Sequence, residues 1–229
     1  MTTFRPASRG IAAASDTAWR RELRRRICHR FWLKAIGVSV FMWLFFSAYF
    51  QILRHPVHAL HTMPLTALDH WIPFQPAWLA AYVSLWFYVG IAPGLMLHMR
   101  SALAYGAWAA ALCAAGLGCF YFWPSAVPAS TPVDLVSHPA FALLQGVDAA
   151  GNACPSLHVA TALFAAFWIH RLLVQVGAPA ALRVLNGLWF VAIAYSTVAI
   201  RQHVTLDVLA GALLGAAFAI PSLRHGRRG

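Results

Sequence analysis

Residues 101–122 have the sequence SALAYGAWAAALCAAGLGCFYF, which contains no charged side chain. As an α-helix this stretch is about 33 Å long, enough to cross a hydrocarbon core of roughly 30 Å. It lacks the alternation of polar and apolar residues that is typical of a transmembrane strand. The stretch therefore predicts a helix that spans a membrane and satisfies its own backbone hydrogen bonds.

Five more apolar runs of about this length lie on either side of it. The six predicted spans are 34–53, 77–98, 101–122, 157–176, 183–200 and 205–222. The composition agrees, since 61% of the residues are hydrophobic and only 10% are charged, against about 25% charged in a soluble domain. The predicted fold is all-α, an integral membrane six-helix bundle. Two glycines four residues apart in LAGALLGAAFA, residues 209–219, predict close helix packing in the last span.

The basic residues are distributed unevenly across these spans. Fifteen of the 17 lysines and arginines fall on one side of a six-span topology, and only Arg54 and Arg201 fall on the other. This asymmetry predicts a multi-pass protein of the cell inner (plasma) membrane with both termini in the cytoplasm. Because the net charge of +11 is explained by topology, we expect the membrane and its lipids as partners, and no nucleic acid.

The same asymmetry divides the chain into three parts. Residues 1–33 form a basic cytoplasmic tail, in which 16–33 are expected to form an amphipathic helix on the membrane surface. Residues 34–222 form the six-span membrane domain, which we expect to be catalytic. Residues 223–229 form a second basic cytoplasmic tail.

The sequence CPSLHVA, residues 154–160, places a histidine at the start of the fourth span. Pro155 and Ser156 are typical of a helix start, so His158 falls in the first turn. Free backbone N–H groups and the positive end of the helix dipole make this an anion-binding position. By the predicted topology it lies at the outer, periplasmic or exterior, end of the span.

A second polar cluster, STVAIRQHVTLDVLAG at residues 196–211, lies between the last two spans on the same side. His203 and Asp207 are four residues apart, so on a helix they share one face and the carboxylate can orient the imidazole. Arg201 offers a planar set of donors to phosphate oxygens. Because burying an ionisable group in a membrane costs about 2.5–3.5 kcal/mol, this cluster favours a functional site over a structural role.

The two motifs together resemble the type 2 phosphatidic acid phosphatase superfamily, in particular the branch containing inositol phosphorylceramide synthases and bacterial relatives. The family pattern is Pro-Ser-Gly-His, followed later by Arg, a short gap, His, three residues and Asp. Two departures stand out. Leu157 occupies the glycine position, a form similar to the synthase branch. The family's first motif, Lys, six residues and Arg-Pro, is absent, because Lys34 is followed at that distance by Phe41 and Met42.

The resemblance implies a mechanism for these residues. His203 is the expected nucleophile and forms a phosphohistidine, Asp207 orients it, and His158 protonates the leaving oxygen and then activates the acceptor. Arg201 and the backbone near Ser156 are expected to bind the phosphoryl oxygens. No cofactor is expected. No metal is expected either, because the four cysteines form no CxxC pair and no His, Cys and carboxylate set has ligand spacing.

Several alternatives stay open at the level of sequence. The activity is either hydrolysis or transfer, on a lipid phosphate, a lipid pyrophosphate or a phospholipid headgroup. A membrane transporter, or a non-catalytic membrane protein with vestigial motifs, is the competing class. The exact donor and acceptor, the oligomeric state and a disulfide between Cys119 and Cys154 are also open.

Overall fold

The structure is a computed structural model, and it describes residues 8–128 and 151–225. The ends of the two predicted tails, 1–7 and 226–229, lie outside the described residues, as does the middle of the second long loop, 129–150. Side chains are described for 18–128 and 151–224.

The described chain is almost entirely helical, which confirms the predicted all-α fold. Nine α-helices occur in the described ranges: α1 Ser8–Cys28, α2 Phe31–Arg54, α3 Ala67–Trp71, α4 Leu79–Val83, α5 Leu85–Gly94, α6 Met99–Phe122, α7 Leu157–Gln175, α8 Ala180–Ala199 and α9 Thr205–His225. A 3-10 turn, Pro76–Trp78, precedes α4. Two short strands, β1 His61–Thr62 and β2 Ser125–Ala126, pair in parallel.

Six segments of the described chain are long and apolar enough to cross a membrane, in agreement with the six predicted spans. They are Phe31–Arg54, Pro76–Gly94, Met99–Phe122, Leu157–Gln175, Ala180–Ala199 and Thr205–Arg224. The second segment combines the 3-10 turn, α4 and α5. Helices α4 and α5 meet at Ser84. These segments support a multi-pass membrane protein.

Helix α7 is the centre of the bundle. Its buried side chains include Phe164, Trp168 and Ile169, and it packs against α5, α6, α8 and α9. Gly211 and Gly215 of α9 lie directly on the backbone of α7, where a side chain would overlap the carbonyl oxygens of Ser156 and Ala160. The close packing predicted from the paired glycines is therefore confirmed.

Helix α2 packs much more loosely. Among its residues only Leu53 is buried, and large side chains such as Trp32, Ile36 and Trp43 are exposed. Such exposure is expected of a helix whose surface faces lipid. α2 contacts α5 and α6, and the space that it encloses with them is described below.

Both long loops meet at one end of the bundle, called here the histidine end because His158 and His203 lie there. β1 belongs to the first loop and β2 to the second, and Ser125 also forms a bridge with Asn152. The side chain of Asn152 donates a hydrogen bond to the hydroxyl of Tyr49 on α2. The other end, where α1 meets α2 and where α5 ends, is called the α1 end.

Candidate functional site

The two sequence motifs come together at the histidine end. The rings of His158 and His203 lie 6.1 Å apart, centroid to centroid. The backbone N–H of Ser156 donates to the carbonyl of Asp207 at 3.0 Å, which ties the start of α7 to the start of α9. Together with the glycine contacts between these helices, this bond fixes the spacing of the two motifs.

His203 lies in the turn before α9. Its backbone N–H donates to the carbonyl of Thr197 at 3.0 Å, and the residue is buried. In the ring, Nδ1 lies 3.0 Å from the carbonyl oxygen of Ala153. Since a carbonyl only accepts, this contact assigns the proton to Nδ1 and leaves the lone pair on Nε2.

The geometry of His203 and Asp207 differs from the shared helix face expected from their spacing. α9 begins at Thr205, so His203 precedes the helix and Asp207 lies in its first turn. The distance from His203 Nδ1 to Asp207 Oδ2 is 3.6 Å, longer than a hydrogen bond. The nearer acceptor is Ala153, and the carboxylate acts on the ring through charge.

Asp207 is fully buried against this turn. Its Oδ2 accepts a hydrogen bond from the N–H of Val204 at 2.9 Å, whereas Oδ1 has no hydrogen-bond partner among the described residues. A buried carboxylate that lacks full pairing is costly. It is therefore suited to stabilise positive charge on the neighbouring ring. Burial raises the pKa of the nearby Cys154 thiol to about 11, and Asp207 adds to this effect.

His158 is enclosed by aromatic side chains of the second span. Its ring stacks on Tyr82 at 4.2 Å with an interplanar angle of 17°, and Trp86 meets it edge-on at 5.4 Å. The Nε2 atom is buried and has no hydrogen-bond partner in the described part of the chain. Sequence reasoning missed both aromatic residues, and their spacing of four residues within the second span was the available signal.

A cavity of about 570 Å³ extends from the two histidines toward the α1 end. Its walls come from α2, α4, α5, α6 and α7, and they are mainly apolar and aromatic. The polar side chains at the histidine end include His158, His203, Asn152 and Gln202. At the far end, Lys34 lines the cavity. The geometry is therefore that of an apolar chamber with two histidines at one end.

Arg201 lies beside His203, away from this chamber. Its guanidinium donates to the carbonyl oxygens of Ile72 at 3.2 Å and Asp69 at 3.4 Å. It lines a smaller pocket of about 50 Å³, of which His203 is also a wall. Arg201 has φ 61°, a left-handed conformation that is uncommon for a residue other than glycine. Its position next to His203 is thus held by the fold of the preceding turn and by α3.

Ser156 lies at the start of α7, as its position in the motif predicted. It is fully buried, and its Oγ accepts a hydrogen bond from the N–H of Val159 at 3.3 Å. It is the N-cap of α7, and it is not among the residues that line the 570 Å³ cavity. Ser156 therefore organises the helix start that carries His158.

Asp69 is a buried acidic residue that sequence reasoning missed. Its carboxylate accepts four hydrogen bonds, two from Thr66 and two from Thr205. Burial acts against the charged form, but these bonds together keep the pKa of Asp69 below its usual value. The Thr66–Asp69 capping box is a recognisable sequence signal. Nothing in the sequence indicated the contact with Thr205.

Within the two described ranges, no three His, Cys, Asp or Glu side chains are grouped as a metal site requires. Independence from metal stays a prediction, to be tested in solution.

Comparison with known proteins bears on the half of the chain that carries both motifs. The model of the PAP2 superfamily matches residues 121–227, a range that contains α7, α8 and α9. Searches of curated proteins and of solved structures gave no match. The narrower resemblance to inositol phosphorylceramide synthases stays a prediction. The family match supports the PAP2 superfamily, and with it an activity of the phosphatase or phosphotransferase type.

Proposed function

We propose that the protein is a membrane lipid phosphoesterase or phosphotransferase that works through a phosphohistidine on His203. The observation that carries the proposal is the pair of histidines at one end of a single apolar cavity. His203 has its Nδ1 hydrogen-bonded to Ala153 at 3.0 Å, and His158 lies 6.1 Å away between ring centroids. A nucleophile with its lone pair on the far nitrogen and a second histidine nearby are what phosphoryl transfer to histidine requires.

The proposed reaction has two steps. In the first, the lone pair of His203 Nε2 attacks phosphorus, the bond to the leaving oxygen breaks, and His158 supplies the proton to that oxygen. In the second, His158 removes a proton from water or a lipid hydroxyl, whose oxygen attacks the phosphohistidine and releases His203. The ring is positively charged in between, and the buried Asp207 carboxylate at 3.6 Å stabilises this charge.

The cavity favours a lipid as the donor. Its apolar walls suit hydrocarbon, while its few polar groups are concentrated around the two histidines. Arg201 and the backbone near Ser156 are proposed to bind the phosphoryl oxygens, although Ser156 itself is buried as a cap. The donor is a lipid phosphate, a lipid pyrophosphate or a phospholipid headgroup. The uneven distribution of lysine and arginine supports a site that faces the periplasm or exterior.

The arrangement of cations favours a singly charged phosphate group. Lys34 lies at the α1 end of the cavity, 15 residues or about 22 Å along α2 from Tyr49. It therefore cannot replace the cations of the missing Lys and Arg-Pro motif. Arg201 beside His203 suits a phosphodiester or one end of a pyrophosphate better than a dianionic monoester. We accordingly expect phosphatidic acid to be turned over more slowly than a diester or pyrophosphate lipid.

The test is a screen with purified protein in detergent micelles. Phosphatidic acid, phosphatidylinositol and a polyprenyl pyrophosphate are supplied at equal surface concentration, with and without ceramide or diacylglycerol as the acceptor. We expect turnover in EDTA, inhibition by vanadate, and loss of turnover in His203→Ala. The exposed His170 of α7 provides the matched control, His170→Ala, which should behave as wild type.

Three results would contradict the proposal in different ways. Equal rates in His203→Ala and wild type would show that His203 is not the nucleophile. A requirement for a divalent ion after EDTA treatment would contradict a mechanism that needs no metal. Solute movement across liposomes without any phosphate chemistry would favour the transporter class.

A further inference from the structure

The cavity behind the histidines is long as well as apolar. On α2 its lining residues include Tyr49 and Lys34, which are about 22 Å apart at 1.5 Å per residue. Tyr49 marks the level of the site, because its hydroxyl accepts a hydrogen bond from Asn152 and its ring contacts Phe120 of α6. The cavity thus covers most of a hydrocarbon core of roughly 30 Å.

A charged side chain, Lys34, lines the cavity at its α1 end. Lys34 Nζ donates to the carbonyl oxygens of Arg26 and Gly94, each at 2.6 Å. These bonds join the end of α1, the start of α2 and the end of α5. An ammonium group is strongly hydrated, so hydrocarbon is not expected to extend beyond it.

Two glycines widen the cavity near that end. Gly37 of α2 and Gly106 of α6 both line it, and a Cβ added to either would meet no atom within 4 Å. They differ in this from Gly211 and Gly215, where a Cβ would overlap the neighbouring backbone. Close contact between helices explains why Gly211 and Gly215 have no side chain. Gly37 and Gly106, in contrast, leave open space.

The two glycines lie at similar depths. Gly37 is 12 residues from Tyr49, and Gly106 is 14 residues from Phe120. At 1.5 Å per residue these separations are about 18 and 21 Å. Because Tyr49 and Phe120 are in ring contact, both glycines lie in the last third of the cavity, next to Lys34.

We infer that this cavity holds a hydrocarbon chain of the lipid substrate and sets an upper limit on its length. Gly37 and Gly106 provide the width in which the end of a long chain lies, and Lys34 provides the stop. The inference rests on the proposed function for the identity of the substrate. The length limit itself is a property of the cavity and is measurable by binding as well as by turnover.

The experiment fills the far end and leaves the histidines untouched. Gly37→Leu and Gly106→Leu are compared with wild type on dioctanoyl and dipalmitoyl forms of phosphatidic acid and phosphatidylinositol. Gly118→Leu is the matched control, since Gly118 also has open space around it but lies on α6 outside the cavity. Excluding even two methylenes from an apolar site is worth about tenfold. We therefore expect the ratio of long-chain to short-chain rates to fall at least about tenfold in the two cavity variants only.

A second variant changes the limit in the opposite direction. Lys34→Met removes the charged stop, so lipids with chains longer than palmitoyl should gain relative to dipalmitoyl lipids. Short-chain rates, which depend on the histidines, should be unchanged and report that each variant is folded.

Binding provides a readout that does not need catalysis. Native mass spectrometry of the purified protein with dioctanoyl and dipalmitoyl phosphatidylglycerol should show the long-chain lipid lost selectively from Gly37→Leu and Gly106→Leu. An unchanged chain-length preference in both variants, by binding and by rate, would overturn the inference. Selective loss of long-chain binding in a protein without phosphate chemistry would support the length limit and reject the proposed function.

Discussion

The carboxylate of Asp69 accepts hydrogen bonds from both the backbone N–H and the hydroxyl of Thr205, at 2.7 and 2.8 Å. Asp69 belongs to the loop after the first span, and Thr205 begins α9, 136 residues later. The other carboxylate oxygen of Asp69 accepts two hydrogen bonds from Thr66. One carboxylate therefore caps two helices and positions the turn that contains Arg201 and His203.

Replacement of Asp69 should destabilise the histidine end. In Asp69→Ala the partly buried N–H groups of Thr66 and Thr205 lose their acceptor, at a cost of up to about 1–3 kcal/mol each. We expect a fall of several degrees in the unfolding temperature in detergent, together with reduced turnover. Thr66→Ala removes only one hydroxyl donor and should have a smaller effect. An unchanged unfolding temperature in Asp69→Ala would contradict the capping role.

The lowered pKa of Asp69 predicts the sign of an acid effect on stability. A carboxyl whose pKa is lower in the folded state stabilises that state above its unfolded pKa of about 3.9, and this contribution is lost as the pH falls through the folded value. Wild type should therefore keep the contribution at neutral pH and lose it below about pH 4. Measured as unfolding temperature against pH, the difference between wild type and Asp69→Ala should shrink in that acid range. A difference that stays constant with pH would exclude the ionised carboxylate as its source.

The two histidines should contribute to the rate far more than to the fold. General acid–base groups typically contribute about 10²–10⁴-fold, so His158→Ala should lose at least this much turnover with a little-changed unfolding temperature. Asp207→Ala should also lower the rate, because the charged ring of His203 then lacks its counter-charge. Quench-flow trapping of acid-labile phosphoenzyme should show label in wild type and none in His203→Ala. Label in His203→Ala would mean that a residue other than His203 carries the phosphoryl group.

Stacking on Tyr82 should affect the catalytic contribution of His158. The ring centroids lie 4.2 Å apart, and aromatic contacts of this kind are worth about 0.5–1.5 kcal/mol. Tyr82→Leu should lower kcat by a few-fold up to about tenfold and alter the pH–rate profile. Tyr82→Phe retains the stacked ring and should largely restore both. A change in KM alone, with an unaltered pH profile, would instead indicate a role in substrate binding.

The features that follow from local sequence were predictable, and those that depend on distant contacts were not. Apolar length and the glycine pair of α9 predicted the six spans and the close helix contact. The start of α7 at Leu157, capped by Ser156, also follows from local residue preferences. Motif spacing identified His158 and His203, which the structure brings together in the lining of one cavity.

The environment of these residues depends on parts of the chain that are remote in sequence. The carbonyls that bind Arg201 come from the loop after the first span, and the ring under His158 comes from the second span. The spacing of His203 and Asp207 predicted a shared helix face. The helix starts two residues later than His203, because the side chain of Asp207 accepts the Val204 N–H and closes a turn before α9.

The contact of Gly211 and Gly215 with the backbone of α7 has a consequence for how the surrounding bilayer acts on the protein. Helices that touch along their backbones cannot move closer, and they cannot slide past each other without overlap, so the distance between the two histidines is set within the protein. α2, which buries only Leu53, forms a wall of the cavity that lipid supports from outside. Bilayer thickness and detergent should therefore alter which chains are accepted, while leaving the chemistry of a short-chain substrate nearly constant.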